Sequence, residues 1–184
     1  MTASPRRPGV AVFCGSRPGR PVDRRLATDL GSALARSGRR VVYGGGHVGL
    51  MGLVADAAMG AGGEVVGVIP QHLHDREVAH HGLTSLEVVP DMHTRKKRMA
   101  DLADAFVALP GGVGTLEELF EMVTWRQLGL HDKPVAVLDE DGFYAPLLDQ
   151  LARMTDDGYL DAATRDGVAR HTGVPDVLAW LDRP

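Results

Sequence analysis

Cysteine is nearly absent from this chain of 184 residues: Cys14 stands alone. A lone thiol excludes an intramolecular disulfide and any metal site made of several cysteines, and it fits a reducing compartment. Lysine is scarce too. Lys96, Lys97 and Lys133 are the only three, against 17 arginines, a skew that reflects codon bias rather than a binding surface. No apolar run approaches the ~18 residues of a membrane span. The basic pair Arg6-Arg7 leads into a strand-like pattern broken by Cys14-Gly15-Ser16, without the cleavage site of a signal peptide. Positive charge is not in excess either. Twenty Lys and Arg face 24 Asp and Glu, a net charge of −4 that offers no general attraction to nucleic acid or to a membrane. These absences lead to the expectation of a soluble, cytoplasmic protein. Internal repeats, low-complexity tracts and linkers are missing as well, which leaves a polar arm over residues 1–8 and a single domain over residues 9–184.

What is there is a regular alternation. Short runs at 10–13, 41–43, 64–69, 86–89, 105–109 and 134–138 are largely apolar and read as buried strands. Between them the spacing predicts helices over 22–37, 48–60, 92–103 and 115–129, with two more near 143–156 and 175–182. Residues 71–83 are polar and rich in histidine and read as a loop. Apolar strands separated by amphipathic helices indicate an α/β fold: a doubly wound, Rossmann-like domain with a parallel sheet covered by helices on both faces. In such folds the ligand sits beyond the carboxyl ends of the strands. The glycine turns at 15–19, 44–49 and 111–114 all fall there, so the three can line one crevice.

Gly44-Gly45-Gly46-His47-Val48-Gly49 has the spacing of a dinucleotide fingerprint, with Glu64 about 20 residues on. The acid of that fingerprint belongs at the carboxyl end of the next strand, whereas Glu64 opens its strand, so a dinucleotide is not expected. Gly111-Gly112-Val113-Gly114-Thr115 lacks the Lys-Ser/Thr ending of a triphosphate loop. What it retains is a set of backbone N–H groups at a helix N-terminus, enough for one phosphate.

Three acids follow that turn. Thr115 and Glu118 have the spacing of a capping box, so Glu118 reads either as a carboxylate reaching back to the helix start or as one held for a ligand. Leu116, Leu119, Phe120 and Val123 set the stripe expected to be buried, and Glu117 and Glu121 fall on another side where solvation is the plain reading. Upstream, Arg95-Lys96-Lys97-Arg98 is the one dense positive cluster. Arg95 falls in the first turns of a helix, where the dipole disfavours a cation, so an anion is expected beside it. A guanidinium in a crevice suits phosphate or carboxylate, while Lys97 and Arg98 read as a solvated face. His72, His74, His80 and His81 lack a set of acidic partners and read as solvated rather than metal-binding. Cys14 reads as a packed thiol rather than a nucleophile.

The stretches PGGVGTLEE at 110–118, DMHTRKKRM at 91–99, YGGGHVGLMG at 43–52, FCGS at 13–16 and TWRQLGLHDKP at 124–134 resemble the Lonely Guy family, in order, over about residues 10–160. That family consists of phosphoribohydrolases that release cytokinin bases from riboside 5′-monophosphates, and many of its members carry an older label of lysine decarboxylase. The resemblance implies a nucleotide-binding domain and an assembly at least dimeric with Trp125–Pro134 at its interface; the residues themselves lead to the expectation of no cofactor and no metal. It places Arg95 and Glu118 on the family's catalytic pair. Glu77, Lys96, residues Gly111 to Glu117 including Leu116, and Thr124 fall on its nucleotide contacts, with Gly44, Gly45 and Gly46 as a further wall. The decarboxylase label conflicts with chemistry, because none of the three lysines sits in a recognisable cofactor motif. A nucleoside monophosphate is bipolar in the reaction: the phosphate is an anion, and the ribose becomes cationic as the N-glycosidic bond breaks. Glycines would hold the first and Glu118 the second. The competing reading is a carrier that binds a nucleotide-like cofactor without cutting it, as the related molybdenum-cofactor carriers do.

Overall fold

The computed structural model describes residues 7–74 and 79–183. Seven strands form one parallel sheet: β1 (Gly9–Phe13), β2 (Arg40–Tyr43), β3 (Val65–Pro70), β4 (Ser85–Val89), β5 (Ala105–Ala108), β6 (Val135–Leu138) and β7 (Val168–His171). Their order is β4-β3-β2-β1-β5-β6-β7. The chain enters at the centre with β1, steps outward to β4, then returns to lay β5 against the free side of β1. The strand order therefore reverses between β1 and β5, the place where such sheets open a crevice at their carboxyl edge.

Eight helices accompany the strands among the described residues: α1 (Pro21–Arg36), α2 (Gly49–Gly60), α3 (Gln71–His74), α4 (Met92–Leu102), α5 (Val113–Gln127), α6 (Ala145–Asp156), α7 (Ala162–Asp166) and α8 (Val174–Leu181). Alternation along the strands makes two cores. Val10 and Val12 point to one face, with Leu26, Leu30 and Leu34 of α1, Leu50 and Val54 of α2 and Val177 of α8. Ala11 and Phe13 point to the other, with Met99 of α4, Leu119 and Met122 of α5 and Leu151 of α6. The doubly wound α/β fold is as the sequence indicated. None of the helices is long and apolar enough to cross a membrane.

Three departures have physical reasons. Residues 71–83 begin with the short helix α3, one turn on a polar sequence with no buried residue. The short helix α7 and the strand β7 that follows it have no counterpart in the expected elements. β7 is an edge strand paired only to β6, and its Val-Ala-Arg-His sequence, half-exposed, carries no apolar run to detect. Finally, α5 starts at Val113 with Gly112 as its N-cap, not at Thr115. Thr115 lies inside the first turn, against Gly111, so it cannot cap, and the capping-box reading of Thr115 and Glu118 is wrong. The buried face of α5 is correspondingly turned: it carries Thr115, Glu118, Leu119, Met122 and Val123, while Leu116 and Phe120 are only half-buried.

Candidate active site

The turns at the carboxyl ends of β1, β2, β3 and β5, with the first turns of α2, α4 and α5, enclose a cleft of about 700 Å³. One side is glycine and charge: Gly44, Gly46, Arg95, Gly112, Val113, Gly114, Thr115, Glu117 and Glu118. The other is apolar, with Val48, Met51, Ile69, Leu73 and Met92. Cys14, Ser16 and Arg17 close it from the end of β1.

The β1 turn is held from two directions. Gly15 N–H donates to Pro110 O at 3.2 Å, and Leu50 N–H donates to Gly15 O at 2.9 Å. The start of α5 exposes a backbone ready for an anion. Gly112 is extended, with φ −94° and ψ −160°, and no side chain caps the helix. The N–H groups of the first turn have no carbonyl within the helix to pair with. Gly112 and Gly114 have open space where a Cβ would be, so nothing in the described residues demands glycine there; a ligand approaching the backbone would.

Arg95 and Glu118 face each other from α4 and α5, each less than a tenth exposed. Their nearest atoms, Arg95 Nη2 and Glu118 Oε1, are 3.6 Å apart, an ion pair too long for a hydrogen bond. Arg95 Nη2 also donates to Gly44 O at 3.4 Å, and its Nε is buried with no hydrogen-bond partner. Burial lifts the Glu118 carboxyl above its ordinary range, with Arg95 opposing the rise and Glu117 adding to it. A Cβ on Gly44 would lie 1.8 Å from Arg95 Nη2, so the glycine is what makes room for the guanidinium. Gly45 is different. It takes φ +73°, packs against Leu86, Ile69 and Val68, and does not itself line the cleft.

Behind this pair sits a second charge cluster. Lys96, buried, contacts the Glu117 carboxylate directly and lies 3.2 Å from Glu121 Oε1. Glu117 and Glu121 are therefore ion-paired rather than simply solvated. Lys97 and Arg98 pair outward, to Asp101 and Glu87.

Of the residues singled out from sequence, the cleft brings together Arg95, Glu118, Glu117, Gly112 to Thr115, Gly44 and Gly46. Gly111 lines an adjoining hollow with Ser16, Arg17 and Gly112. Lys96, Leu116, Gly45 and the exposed Thr124 do not line the cleft. Glu77 lies outside the described residues. Ser16, Arg17 and Val48 belong to the turns at 15–19 and 44–49 expected to line the crevice, though none was singled out as a site residue; Met51, Ile69, Leu73 and Met92 of the apolar wall were missed, their only signal being a place at or just beyond strand ends. Cys14 is buried, and burial raises its thiol far above the ordinary range with Glu118 adding to the effect, which keeps it protonated.

The histidines have an acidic partner that the sequence did not reveal. His80 Nε2 lies 2.8 Å from Asp56 Oδ1, and His47 Nε2 is 3.7 Å from Asp56 Oδ2. Among the described residues these three form a cluster with metal-like spacing. Gly82 N–H donates to His80 Nδ1 at 3.1 Å, however, so the ring proton is on Nε2 and points at Asp56. Metal ligation through Nε2 would put that proton on Nδ1 against the Gly82 N–H. The cluster instead pins the segment after residue 79, where His80 N–H donates to Gly45 O at 2.9 Å.

Comparison with known proteins follows the same line. A family model described as "Possible lysine decarboxylase" matches residues 51–180. The "Cytokinin riboside 5′-monophosphate phosphoribohydrolase" of Rhodococcoides fascians is 50% identical over 184 residues, covering 99% of this chain and 93% of that protein. A protein of the same description from Arabidopsis thaliana is 45% identical over 174 residues, covering 94% and 82%. Among solved structures, the molybdenum cofactor binding protein of Rippkaea orientalis superposes with a TM-score of 0.76 at 21% identity, covering 97% of both chains, a likeness of fold alone. With half its residues shared with the Rhodococcoides fascians protein across nearly the whole of both chains, and with the family model matched over most of its length, the chain belongs to the Lonely Guy family.

Proposed function

We propose that this protein hydrolyses the N-glycosidic bond of a nucleoside 5′-monophosphate, an N6-modified adenosine monophosphate of the cytokinin type, to the free base and ribose 5-phosphate. The observation that carries the reading is the buried Arg95–Glu118 pair beside an uncapped, glycine-lined helix start. The N–H groups of Val113 to Thr115 take the phosphate, and Arg95, which lines the cleft, reinforces that end. Glu118 faces the ribose, where positive charge develops as the bond to the base lengthens, and orients the water that attacks C1′. The apolar wall from Val48 to Met92 suits a base with an apolar substituent on its amino group.

Other chemistry fits less well. All three lysines are engaged away from the cleft, Lys96 with Glu117 and Glu121, Lys97 with Asp101 and Lys133 with Ala100 O at 2.7 Å, so none is free there to form a Schiff base. The relatives' names support hydrolysis, and the cofactor carriers share only the fold. We read residues 9–184 as one cytoplasmic nucleotide-binding domain, acting without metal or cofactor on a small molecule rather than nucleic acid, and paired with a second copy through the Trp125–Pro134 segment, where Leu128 and Leu130 are exposed.

The test is incubation with N6-isopentenyl-AMP, AMP and the corresponding ribosides. Free base and ribose 5-phosphate are expected from the monophosphates, with the ribosides poor substrates. Binding without product would favour the carrier, and equal turnover of AMP and adenosine would remove the phosphate cradle.

A further inference from the structure

Lys96 is a buried cation that does not line the cleft. Its side chain is 6% exposed, yet its ammonium is turned away from the ligand space and held between Glu117 and Glu121. Burial alone would lower its proton affinity; the two carboxylates outweigh burial and keep it above the ordinary lysine value, so it stays charged. Glu121 is itself largely buried, and its second oxygen, Oε2, has no hydrogen-bond partner. Such an arrangement is costly in isolation, since a buried carboxylate with an orphan oxygen does little for stability.

Its position supplies a reason. α4 carries Arg95 and Lys96 side by side, and α5 carries Glu117, Glu118 and Glu121 opposite them. The charges that Glu118 faces are Arg95 and Lys96 from α4 and Glu117 and Glu121 from its own helix, with the Cys14 thiol beyond the end of β1. Glu117 reaches the cleft wall with its side chain half exposed and would be free to swing without the lysine. We infer that Lys96 and Glu121 are a pair of positioning residues: Glu121 anchors Lys96, and Lys96 both fixes Glu117 at the cleft wall and balances the charge around Glu118. Neither lines the cleft. The inference rests on the proposed reaction only in expecting that this balance shapes catalysis.

Two substitutions with opposite signs test it. Lys96→Met removes a cation and should move the titration of Glu118 to higher pH, whereas Glu121→Gln removes an anion and should move it to lower pH. Lys96→Arg keeps the charge and should leave the titration close to the parent. The direct readout is the ¹³C carboxyl resonance of Glu118, assigned by its disappearance in Glu118→Gln, followed against pH in the whole protein. The acid limb of kcat/KM for N6-isopentenyl-AMP should follow in the same two directions. Should Lys96→Met fail to fold, Glu121→Gln with Lys96→Arg still decides, because Lys96 keeps its contact with Glu117 in the former. A Glu118 titration that stays put, or moves the same way in both charge-changing variants, overturns the inference. Opposite shifts in the resonance without matching shifts in the rate profile uphold the positioning pair and overturn Glu118 as the carboxylate of the proposed reaction.

Discussion

Glu118 is a carboxylate raised above its ordinary value of 4.5 by burial, beside a cation that only partly relieves it. The sign of the consequence follows directly. A group whose proton affinity is higher folded than unfolded contributes stability at low pH and loses it as pH rises through the folded value. Chemical denaturation of the parent and of Glu118→Gln across pH 4–8 should therefore show the parent losing ground to the variant as pH rises. Asp23 and Glu87, which arginines hold below the usual range, contribute the opposite slope in both proteins and cancel in the difference. The same variant should lose about 10²-fold in kcat/KM on the proposed reaction. Gly44→Ala attacks the site from its partner. Its added carbon would stand where the Arg95 guanidinium is, so we expect a folded protein with activity down about 10²-fold, the scale of a displacement near one ångström. Melting temperature and steady-state kinetics together check that the loss is one of geometry.

Elements position these residues through turns, and one turn is open to a clean test. Asp139, fully buried at the end of β6, accepts from Gly142 N–H at 2.7 Å and Tyr144 N–H at 2.8 Å, with Arg170 Nη2 of β7 at 3.2 Å. It fastens the start of α6 and the edge strand β7 to the sheet at once. Asp139→Ala would strand two backbone donors and an arginine, a loss of about 3 kcal/mol that urea unfolding should register with little change in slope. At this scale the sequence was legible wherever information is local. Apolar runs marked the six strands they should, and the glycine turns and the Arg95 and Glu118 motifs were visible because each is a few contiguous residues. Pairings across elements were not. Lys96 meeting Glu117 and Glu121, or His80 meeting Asp56, depends on how two elements pack. Thr115 misled because the capping spacing was present while the helix began earlier, on a glycine cap.

As a whole molecule, the protein shows large apolar side chains just past the end of α5, with Leu128 and Leu130 each about two-thirds exposed (66% and 67%). Single exposed leucines are ordinary, but two within three residues, beside the half-buried Trp125, support the proposed contact between copies. Light scattering after size exclusion should find at least a dimer, and Leu128→Asp with Leu130→Asp should shift it toward monomer. A parent that is monomeric at micromolar concentration would remove this contact from the proposal.

The reversal of strand order has a consequence for how the protein comes to work as it folds. Arg95 rides on α4, the helix that carries the chain back from the edge strand β4 toward the centre, while Glu118 waits on α5, beyond β5. The half of the sheet from β1 to β4 can pair without bringing the two together. Only when β5 docks against β1, a contact joining residues nearly a hundred positions apart, do the cation and the carboxylate meet. Distant pairing of this kind is slow compared with local helix formation. In refolding, ligand-binding competence should thus lag the recovery of the circular dichroism of the helices, so the site is a timer that marks the docking of β5 onto β1.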